Sequence, residues 1–433
     1  MIKNSLKNLE ITALNEMQQS AIAAVYAHRN ILLHAPTGSG KTLAYLLPVS
    51  KLIVSKKKTL QAMIIVPSRE LALQIAGVHK AMQTPVPMTC CYGGHSLQAE
   101  KSAFLKEPAI LVGTPGRIAA HMRNDRFDFS DISILVLDEF DKSLEFGFTD
   151  EMMFIVGKLK KLKKRICISA TRLESIPEFI GMVDPFVIEF ADGAMQPQIT
   201  LKSVDSPDVD KLETLFRLIK YIGNQPSLIF CNHREAVERV TGYLQSKNIE
   251  VLMYHGGMEQ RDRELSLLKF RNGSYRLLVT TDLAARGLDI PEIGYIIHYH
   301  LPSTEATFIH RNGRTARMNA TGTTFIIFSA NDKLPAYLPE KPPVEAVTAD
   351  LPLPDATDWV TLHINAGRRD KICKADVVGF LLQKGRLRKD ELGLVEVTDR
   401  EAFAAVKRSN VKRMLSYVAT ELLKRKKVRI EVI

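Results

Sequence analysis

The segment NILLHAPTGSGKT, residues 30–42, decides how the first part of the chain folds. An apolar run leads into a glycine-rich turn and then an apolar stretch of helical character, which predicts a strand, a phosphate-binding loop and a helix. Glycines let backbone N–H groups approach phosphate oxygens, and the N-terminus of the following helix favours negative charge. Lys41 can reach the β- and γ-phosphates of a nucleotide, and the Thr42 hydroxyl can ligate Mg²⁺. The strict GxxxxGK[ST] pattern fails only at Ala35, which stands at the first glycine position.

On both sides of this segment, short apolar and β-branched runs alternate with longer amphipathic stretches. Strands alternating with helices indicate a parallel sheet covered on both faces. The pattern begins again after a turn-rich join near residues 190–208, so the sequence predicts two α/β domains in tandem with a cleft between them. We assign strands to residues 30–35, 62–67, 109–114, 132–140 and 165–171, and again to 227–232, 250–256, 275–281, 294–299 and 322–328.

The composition and apolar pattern change towards the C-terminus. Residues 335–358 hold six prolines and no helical period, which predicts a partly extended linker. Beyond it the apolar pattern predicts the order β-α-β-β-α-β, a small split βαβ sheet domain. The predicted domain boundaries are 1–200, 201–334 and 359–433, with the linker at 335–358.

Length and composition limit the class of protein. The chain has 433 residues, of which 45% are hydrophobic and 25% charged, as is typical of globular domains. No apolar run approaches the length of a membrane helix, and the first residues lack the apolar stretch of a secretory signal. The five cysteines form no CxxC pair, so we expect buried thiols and a cytoplasmic location.

The charge distribution indicates a partner. The formal net charge is +11, and the residues from 356 onward contain 18 Lys and Arg against 10 Asp and Glu. Such a basic tail is typical of proteins that bind a polyanion, most often nucleic acid. A basic surface that only keeps the protein soluble is the alternative at this point.

An acidic cluster, VLDEFD (136–141), ends one of the predicted strands. Asp138 at a strand end can hold Mg²⁺ through its waters, and Glu139 can orient or deprotonate an attacking water. An ordinary acidic turn would look the same in isolation. The phosphate-binding loop favours the catalytic interpretation.

Seven short motifs occur in the order and spacing of one known family. They are PSRELA (67–72), GG (93–94), TPGR (114–117), DEFD (138–141), SAT (169–171), TDLAARGLD (281–289) and HRNGRTAR (310–317). With these motifs the chain resembles the DEAD-box RNA helicases from about residue 14 to 330. The resemblance implies two tandem RecA-like parallel-sheet domains, and hydrolysis of ATP with Mg²⁺ to bend and locally unwind structured RNA.

The resemblance also implies roles for individual residues. In ATP binding, Gln18 would read the adenine edge, Asp289 would contact the ribose, and the phosphate loop would supply Thr37, Gly38, Ser39, Gly40, Lys41 and Thr42. Lys41, Asp138 and Glu139 would act in catalysis, with Arg314 and Arg317 as arginine fingers from the second domain. Coupling of hydrolysis to domain closure would involve Ser169, Thr171 and His310. RNA contacts would come from Arg69, Gly94, Thr114 and Arg117, and from Gln260, Arg263 and Thr280.

Residues 359–433 resemble the C-terminal RNA-binding domain of DbpA-type bacterial helicases, an RRM-like α+β fold. The usual RNA-stacking aromatic strings are missing, and Phe380 and Tyr417 fall in helical patterns that predict core positions. RNA contacts are therefore expected from basic residues, namely Arg368, Arg369, Lys371, Arg386, Arg388, Lys407, Arg408 and the run from Lys424 to Lys427. The resemblance implies that this domain tethers the core to structured ribosomal RNA in ribosome assembly.

Two departures from the family pattern bear on activity. Phe140 stands where the family usually has alanine, so a larger ring must find room behind the site. No aromatic residue precedes Gln18 at the distance where the family stacks one on adenine, which predicts weak adenine selectivity or ATP affinity. The favoured function is a monomeric ATP-dependent RNA helicase that binds no membrane. An RNA-binding scaffold or ATP-gated clamp with little turnover, and a DNA translocase, are the alternatives.

Overall fold

The structure is a computed structural model that describes residues 2–36, 39–54, 56–93, 107–124, 127–170, 175–190, 198–282, 293–315, 321–348 and 351–433. The chain divides into two compact units at residues 196–197. Among the described residues, no helix is long and apolar enough to cross a membrane.

The first unit is built on a parallel sheet. Its strands are β1 (Asn30–His34), β2 (Ala62–Ile65), β3 (Met88–Cys91), β4 (Ile110–Gly113), β5 (Ile134–Leu137), β6 (Lys164–Ser169) and β7 (Phe186–Glu189). They lie in the order β3-β4-β2-β5-β6-β1-β7, and every neighbouring pair is parallel. The helices are α1 (Ile2–Asn8), α2 (Glu16–Ala27), α3 (Lys41–Leu52), α4 (Arg69–Ala81), α5 (Pro115–Arg123), α6 (Phe140–Glu145) and α7 (Thr149–Lys158).

Alternating residues of each strand feed two separate cores. In β1, Ile31 and Leu33 join a core with the apolar residues of α2, α3 and α4. Leu32 between them joins a second core with residues of α5 and α7. Helices therefore cover both faces of the sheet, which is why its strands are apolar throughout.

The second unit begins with another parallel sheet. Its strands are β8 (Gln198–Ser206), β9 (Ser227–Cys231), β10 (Val251–Tyr254), β11 (Leu277–Thr281), β12 (Tyr295–His298) and β13 (Thr321–Ser329), in the order β10-β11-β9-β12-β13-β8. The helices are α8 (Leu212–Ile222), α9 (Arg234–Ser246), α10 (Gln260–Arg271) and α11 (Glu305–Asn312). The predicted tandem of RecA-like parallel sheets is confirmed.

Three strands of the two parallel sheets were missed in the sequence: β3, β7 and β8, all of which lie at sheet edges. The turn-rich stretch 190–208 was interpreted as a join, yet β8 occupies most of its second half and pairs with β13 along its whole length. This strand lies at the edge of the sheet and mixes polar with apolar residues. An edge strand lacks the continuous apolar run by which the other strands were recognised.

The C-terminal part of the second unit is a separate antiparallel sheet with two helices. Its elements are β14 (Trp359–Ile364), α12 (Lys374–Gln383), β15 (Leu392–Val397), β16 (Ala402–Lys407), α13 (Val411–Val418), a short hairpin of β17 (Leu422–Leu423) and β18 (Lys426–Lys427), and β19 (Ile430–Val432). The strand order β15-β16-β14-β19 confirms the predicted RRM-like α+β fold.

Two expectations about single residues in this domain need correction. Phe380 lies in the core as predicted, but Tyr417 is 37% exposed, and the Arg386 guanidinium lies 4.6 Å from its ring centre. Tyr417 is therefore a surface residue of α13. Cys373, predicted to be a buried thiol, is exposed, and Cys90 is only partly buried.

The proline-rich segment between the two sheets of the second unit lies along the first of them. Ser203 of β8 donates its backbone N–H to the Pro343 carbonyl at 2.8 Å and accepts from Glu345 N–H at 2.8 Å. Further on, Asp355 N–H donates to Asn224 Oδ1 at 2.8 Å. These bonds fix an extended segment that has no helical period of its own.

Candidate functional site

The carboxyl ends of three neighbouring strands meet at one edge of the first sheet. The phosphate-binding loop follows β1, Ser169 ends β6, and Asp138 follows β5. Ala35 N–H donates to the Ser169 carbonyl at 3.2 Å, so the start of the loop is tied to the end of β6. In open parallel sheets this edge is where ligands bind.

The described part of the phosphate-binding loop is held by local bonds. Lys41 Nζ donates to the Ala35 carbonyl at 2.7 Å, and Ser39 Oγ donates to the Pro36 carbonyl at 2.8 Å. Gly40 has a left-handed φ of +84° directly before α3. Only glycine adopts this conformation readily, so the N-terminus of α3 depends on it. Thr37 and Gly38 lie outside the described residues.

Gln18 contacts the same loop from the start of α2. Its Nε2 donates to the Gly40 carbonyl at 3.3 Å. Asn15 and Gln18 form a reciprocal capping box, in which Gln18 N–H donates to Asn15 Oδ1 at 2.8 Å and Asn15 N–H to Gln18 Oε1 at 3.1 Å. Asn15 Nδ2 also donates to the Ser39 carbonyl at 3.0 Å. Asn15 was missed in the sequence, although an Asn three residues before a Gln is a signal for such a cap.

Asp138 is buried, with 3% of its surface exposed. Its Oδ1 accepts from Glu139 N–H at 2.9 Å, and its Oδ2 accepts from the Tyr45 hydroxyl at 2.9 Å. Burial raises the pKa of the Asp138 carboxyl, while the Lys41 charge and these hydrogen bonds oppose the rise. Tyr45 was also missed, although it follows Lys41 by one helical turn and therefore lies on the same face of α3.

Glu139 has a strained backbone. Its φ of +47° and ψ of 50° are left-handed for a residue with a side chain, and α6 begins at the next residue. Phe140 is fully buried in the core that also contains Ile118 and Met152. The Phe140 ring, which stands where the DEAD-box pattern has alanine, is therefore accommodated in the core beneath the acidic turn.

Arg311 is the centre of a buried network in the second unit. Its guanidinium donates to Asp282 at 2.5 and 2.8 Å, to Asn232 Oδ1 at 2.8 Å and to the His300 carbonyl at 2.5 Å. These groups follow β9, β11 and β12, so Arg311 ties three strand ends together. His310 and Arg314 beside it are 5% and 6% exposed.

The residues expected to contact RNA lie at the starts of helices and the ends of strands. In the first unit the Arg69 guanidinium lies 4.5 Å from the centre of the Tyr92 ring, and Thr114 and Arg117 stand at the start of α5. In the second unit Arg263 donates to the Tyr254 hydroxyl at 3.2 Å and to Gln260 Oε1 at 3.3 Å. Thr280 is fully buried in β11. Gly94, Thr171, Asp289 and Arg317 lie outside the described residues.

Three of the basic residues expected to bind RNA in the C-terminal domain share one exposed turn, whereas Arg408 is instead paired with Glu250. Arg368 and Arg369 begin a 3₁₀ turn, and Lys371 follows it with a φ of +61°. The β17–β18 hairpin lies against this turn, because Lys424 Nζ donates to the Lys371 carbonyl at 2.9 Å and Lys426 pairs with Asp370 at 2.5 Å. Turn and hairpin together form one cation-rich surface, which we call the basic turn (residues 368–371 and 424–427).

The C-terminal domain is attached through its own sheet to α10 and the loop that follows it in the second RecA-like domain. Thr361 of β14 is fully buried, and its hydroxyl lies 2.8 Å from both Asn272 Nδ2 and Ser274 Oγ. Two ion pairs reinforce the contact: Arg261–Glu401 at 2.6 Å and Arg408–Glu250 at 3.2 Å. A buried hydrogen-bonded contact of this kind fixes orientation as well as position.

Two parallel sheets, one with a phosphate-binding loop and the other with a buried arginine cluster at its strand ends, define the class of RecA-like nucleotide-dependent motors. Three family models match the chain: DEAD/DEAH box helicase at residues 15–179, Helicase conserved C-terminal domain at 210–319, and DbpA RNA binding domain at 361–432. The chain belongs to the DEAD-box ATP-dependent RNA helicases and is homologous to DbpA over most of its length.

Individual relatives support this assignment. The ATP-dependent RNA helicase DbpA of Escherichia coli is 31% identical, over 94% of this chain and 93% of that protein. DbpA of Bacillus subtilis is 27% identical, over 99% and 96%. Among solved structures, S. cerevisiae Dbp5 bound to RNA and ADP BeF3 aligns with a TM-score of 0.69 at 26% identity, covering 76% of this chain and 86% of that one. The chain is thus an RNA-stimulated ATPase that binds ATP and RNA.

Proposed function

We propose that this helicase hydrolyses ATP with Mg²⁺ to bend and locally unwind structured RNA, and that its substrate is ribosomal RNA during ribosome assembly. The observation that carries the proposal is the fixed attachment of the C-terminal domain to the second RecA-like domain, with the basic turn exposed. RNA held by this turn stays close to the helicase core, which raises the local concentration of neighbouring duplexes. The chain acts as a monomer in this proposal.

The residues at the nucleotide edge fit the proposed chemistry. Lys41 supplies a positive charge for the phosphates, Glu139 orients the attacking water, and Arg314 and Arg317 disperse negative charge that develops on the transferred phosphoryl group. Gln18 reads the adenine, and Asp289 contacts the ribose. Ser169, Thr171 and His310 link hydrolysis to closure of the domains.

The residues present also fit Mg²⁺. Within the described ranges no group of three or more His, Cys, Asp or Glu could hold a metal ion by itself. Mg²⁺ in nucleotide enzymes characteristically takes one or two protein oxygens and completes its shell with phosphate oxygens and water. The Thr42 hydroxyl and the buried Asp138 carboxylate are oxygen donors of this type. Thr42 and Asp138 would hold the ion, which would supply positive charge that neutralises the phosphates.

The test is a steady-state ATPase and unwinding assay with a panel of RNAs. We expect a ribosomal RNA fragment to stimulate ATP hydrolysis strongly, and we expect Glu139→Gln to abolish this stimulation. The matched pair of variants is R369E/K371E in the basic turn and K389E/K412E at exposed sites elsewhere in the same domain, which makes the same change in charge. Only the first pair should reduce stimulation by the ribosomal fragment and the salt dependence of its binding.

Other outcomes would change the proposal in defined ways. Equal stimulation by all RNAs would keep the helicase and remove ribosomal specificity. RNA binding with no turnover above the level of Glu139→Gln would indicate a scaffold or ATP-gated clamp. Equal stimulation by a 2′-deoxy strand would indicate a DNA translocase, because the family contacts the ribose hydroxyl.

A further inference from the structure

Tyr45 is hydrogen-bonded to Asp138, one of the two residues that are proposed to hold Mg²⁺. It lies on α3, one turn after the phosphate-binding loop, and is 1% exposed. Its hydroxyl donates to Asp138 Oδ2 at 2.9 Å. One phenolic oxygen therefore links a helix that follows β1 to a turn that follows β5.

The Asp138 carboxylate is held from both sides. Oδ2 accepts from Tyr45, and Oδ1 accepts from Glu139 N–H at 2.9 Å. Rotation of the carboxylate would break both bonds inside a buried site, where unsatisfied polar atoms are costly. Each carboxylate oxygen has a second lone pair, so both remain able to accept from water on a bound cation.

We propose that Tyr45 is a positioning residue for the cation, because its hydroxyl fixes the Asp138 carboxylate in the orientation that receives Mg²⁺ together with a nucleotide. This inference rests on the Mg²⁺-dependent function proposed above. Groups that orient metal ligands from behind commonly set metal affinity even though they never touch the ion.

A purely structural role for Tyr45 makes a different prediction. If the hydroxyl only satisfied a buried carboxylate, its removal would lower the stability of the protein and leave Mg²⁺ dependence unchanged. Tyr45→Phe separates the two roles, because it removes one oxygen and keeps the buried ring. The matched control is Tyr299→Phe, since Tyr299 is 4% exposed and donates to Asp210 Oδ1 at 3.4 Å in the second unit.

The measurement is the affinity for the non-hydrolysable analogue AMP-PNP, with saturating Mg²⁺ and with EDTA. The dissociation constant in EDTA divided by the dissociation constant with Mg²⁺ reports how much Mg²⁺ contributes to nucleotide binding. Tyr45→Phe should lower this ratio about tenfold while the affinity in EDTA stays within about twofold of wild type. The kcat for RNA-stimulated ATP hydrolysis should fall, with the KM for RNA unchanged. Tyr299→Phe should leave the ratio at its wild-type value.

A double-mutant cycle shows whether Tyr45 acts through the carboxylate. On an Asp138→Asn background, Tyr45→Phe should produce no further loss in the ratio, because the bond that it removes no longer positions a carboxylate. Full additivity of the two changes would overturn the inference. Thermal unfolding without nucleotide confirms that each variant is folded at the temperature of the titration.

The two proposals fail in distinguishable ways. If the wild-type ratio were close to one, the proposed Mg²⁺ role would be wrong and Tyr45 would have no cation to position. If the wild-type ratio were large and Tyr45→Phe kept it, the Mg²⁺ role would stand and the inference about Tyr45 alone would be wrong.

Discussion

Arg311 and Arg314 lie three residues apart, and we predict that replacing them affects different properties. Replacement of Arg311 should lower stability, and replacement of Arg314 should lower the rate of ATP hydrolysis. Arg311 is 2% exposed, and its guanidinium donates four hydrogen bonds of 2.5 to 2.8 Å to Asp282, Asn232 and the His300 carbonyl. It also lies 5.1 Å from the centre of the Phe230 ring. This residue should therefore determine stability, whereas Arg314 is proposed to act on the phosphates.

The expected loss of stability follows from the hydrogen-bond partners that Arg311→Ala would leave unpaired. Breaking a buried ion pair from one side costs about 3–5 kcal/mol, because the remaining charge stays desolvated. The Asp282 side chain is 23% exposed and can recover some hydration, so we expect the lower end of that range. A loss of about 3 kcal/mol corresponds to a fall in Tm of about 6–12 °C for a unit of this size. Arg311→Lys should lose less, since it keeps the charge but not the planar fork.

Thermal unfolding and RNA-stimulated ATPase, measured well below the transition, separate the two arginines. Arg311→Ala should lower Tm and retain most of the turnover. Arg314→Ala should lower kcat about 1,000-fold, as expected for an arginine finger, with a much smaller change in Tm. The reasoning would be refuted if Arg311→Ala left Tm unchanged, or if Arg314→Ala lowered Tm as much as Arg311→Ala while sparing kcat.

Three further predictions concern the site, the fold and the domain contact. Gly40→Ala should abolish ATP binding in a fluorescence titration, because a Cβ at this residue would lie 2.3 Å from Gln18 Nε2 at a φ of +84°. Burial lowers the pKa of His298 to about 3, below its ordinary value of 6.5, so the unfolded chain binds the proton more tightly. The second unit should then lose stability as the pH falls below about 6.5, and urea unfolding of His298→Gln should show a smaller loss. Thr361→Val should leave Asn272 Nδ2 and Ser274 Oγ without this partner and cost about 1–3 kcal/mol, measured as a lower urea midpoint for the second unit.

The sequence was most informative where burial or backbone geometry restricts the choice of residue. Strands buried on both faces are apolar throughout, and a loop whose backbone N–H groups approach phosphate between a strand and a helix requires glycine. These signals predicted both parallel sheets, the phosphate-binding loop after one strand and Asp138 at the end of another. The β-α-β-β-α-β order of the tail followed from the same patterns.

What the sequence could not predict depends on contacts between residues far apart in the chain. Tyr45 and Asp138 are separated by 93 positions and meet only because β5 and β1 end at the same edge. Tyr417 shares the apolar period of α13, yet it lies outside the core, with the Arg386 guanidinium beside its ring. A helical pattern indicates which residues share a face, but it does not show how far the neighbouring sheet extends over that face.

The position of Thr361 in β14 is not available to an aromatic residue that stacks on RNA. In β14, Val360, Leu362 and Ile364 face the helices. Thr361 faces the loop between α10 and β11 of the second RecA-like domain, where Asn272 and Ser274 bind its hydroxyl. The face of the sheet opposite to the helices is thus used, at this point, for contact within the protein. Stacking aromatics at the position of Thr361 would have no access to RNA bases. This agrees with our proposal that the basic turn binds RNA, since the same contact fixes the position of the C-terminal domain on the second RecA-like domain.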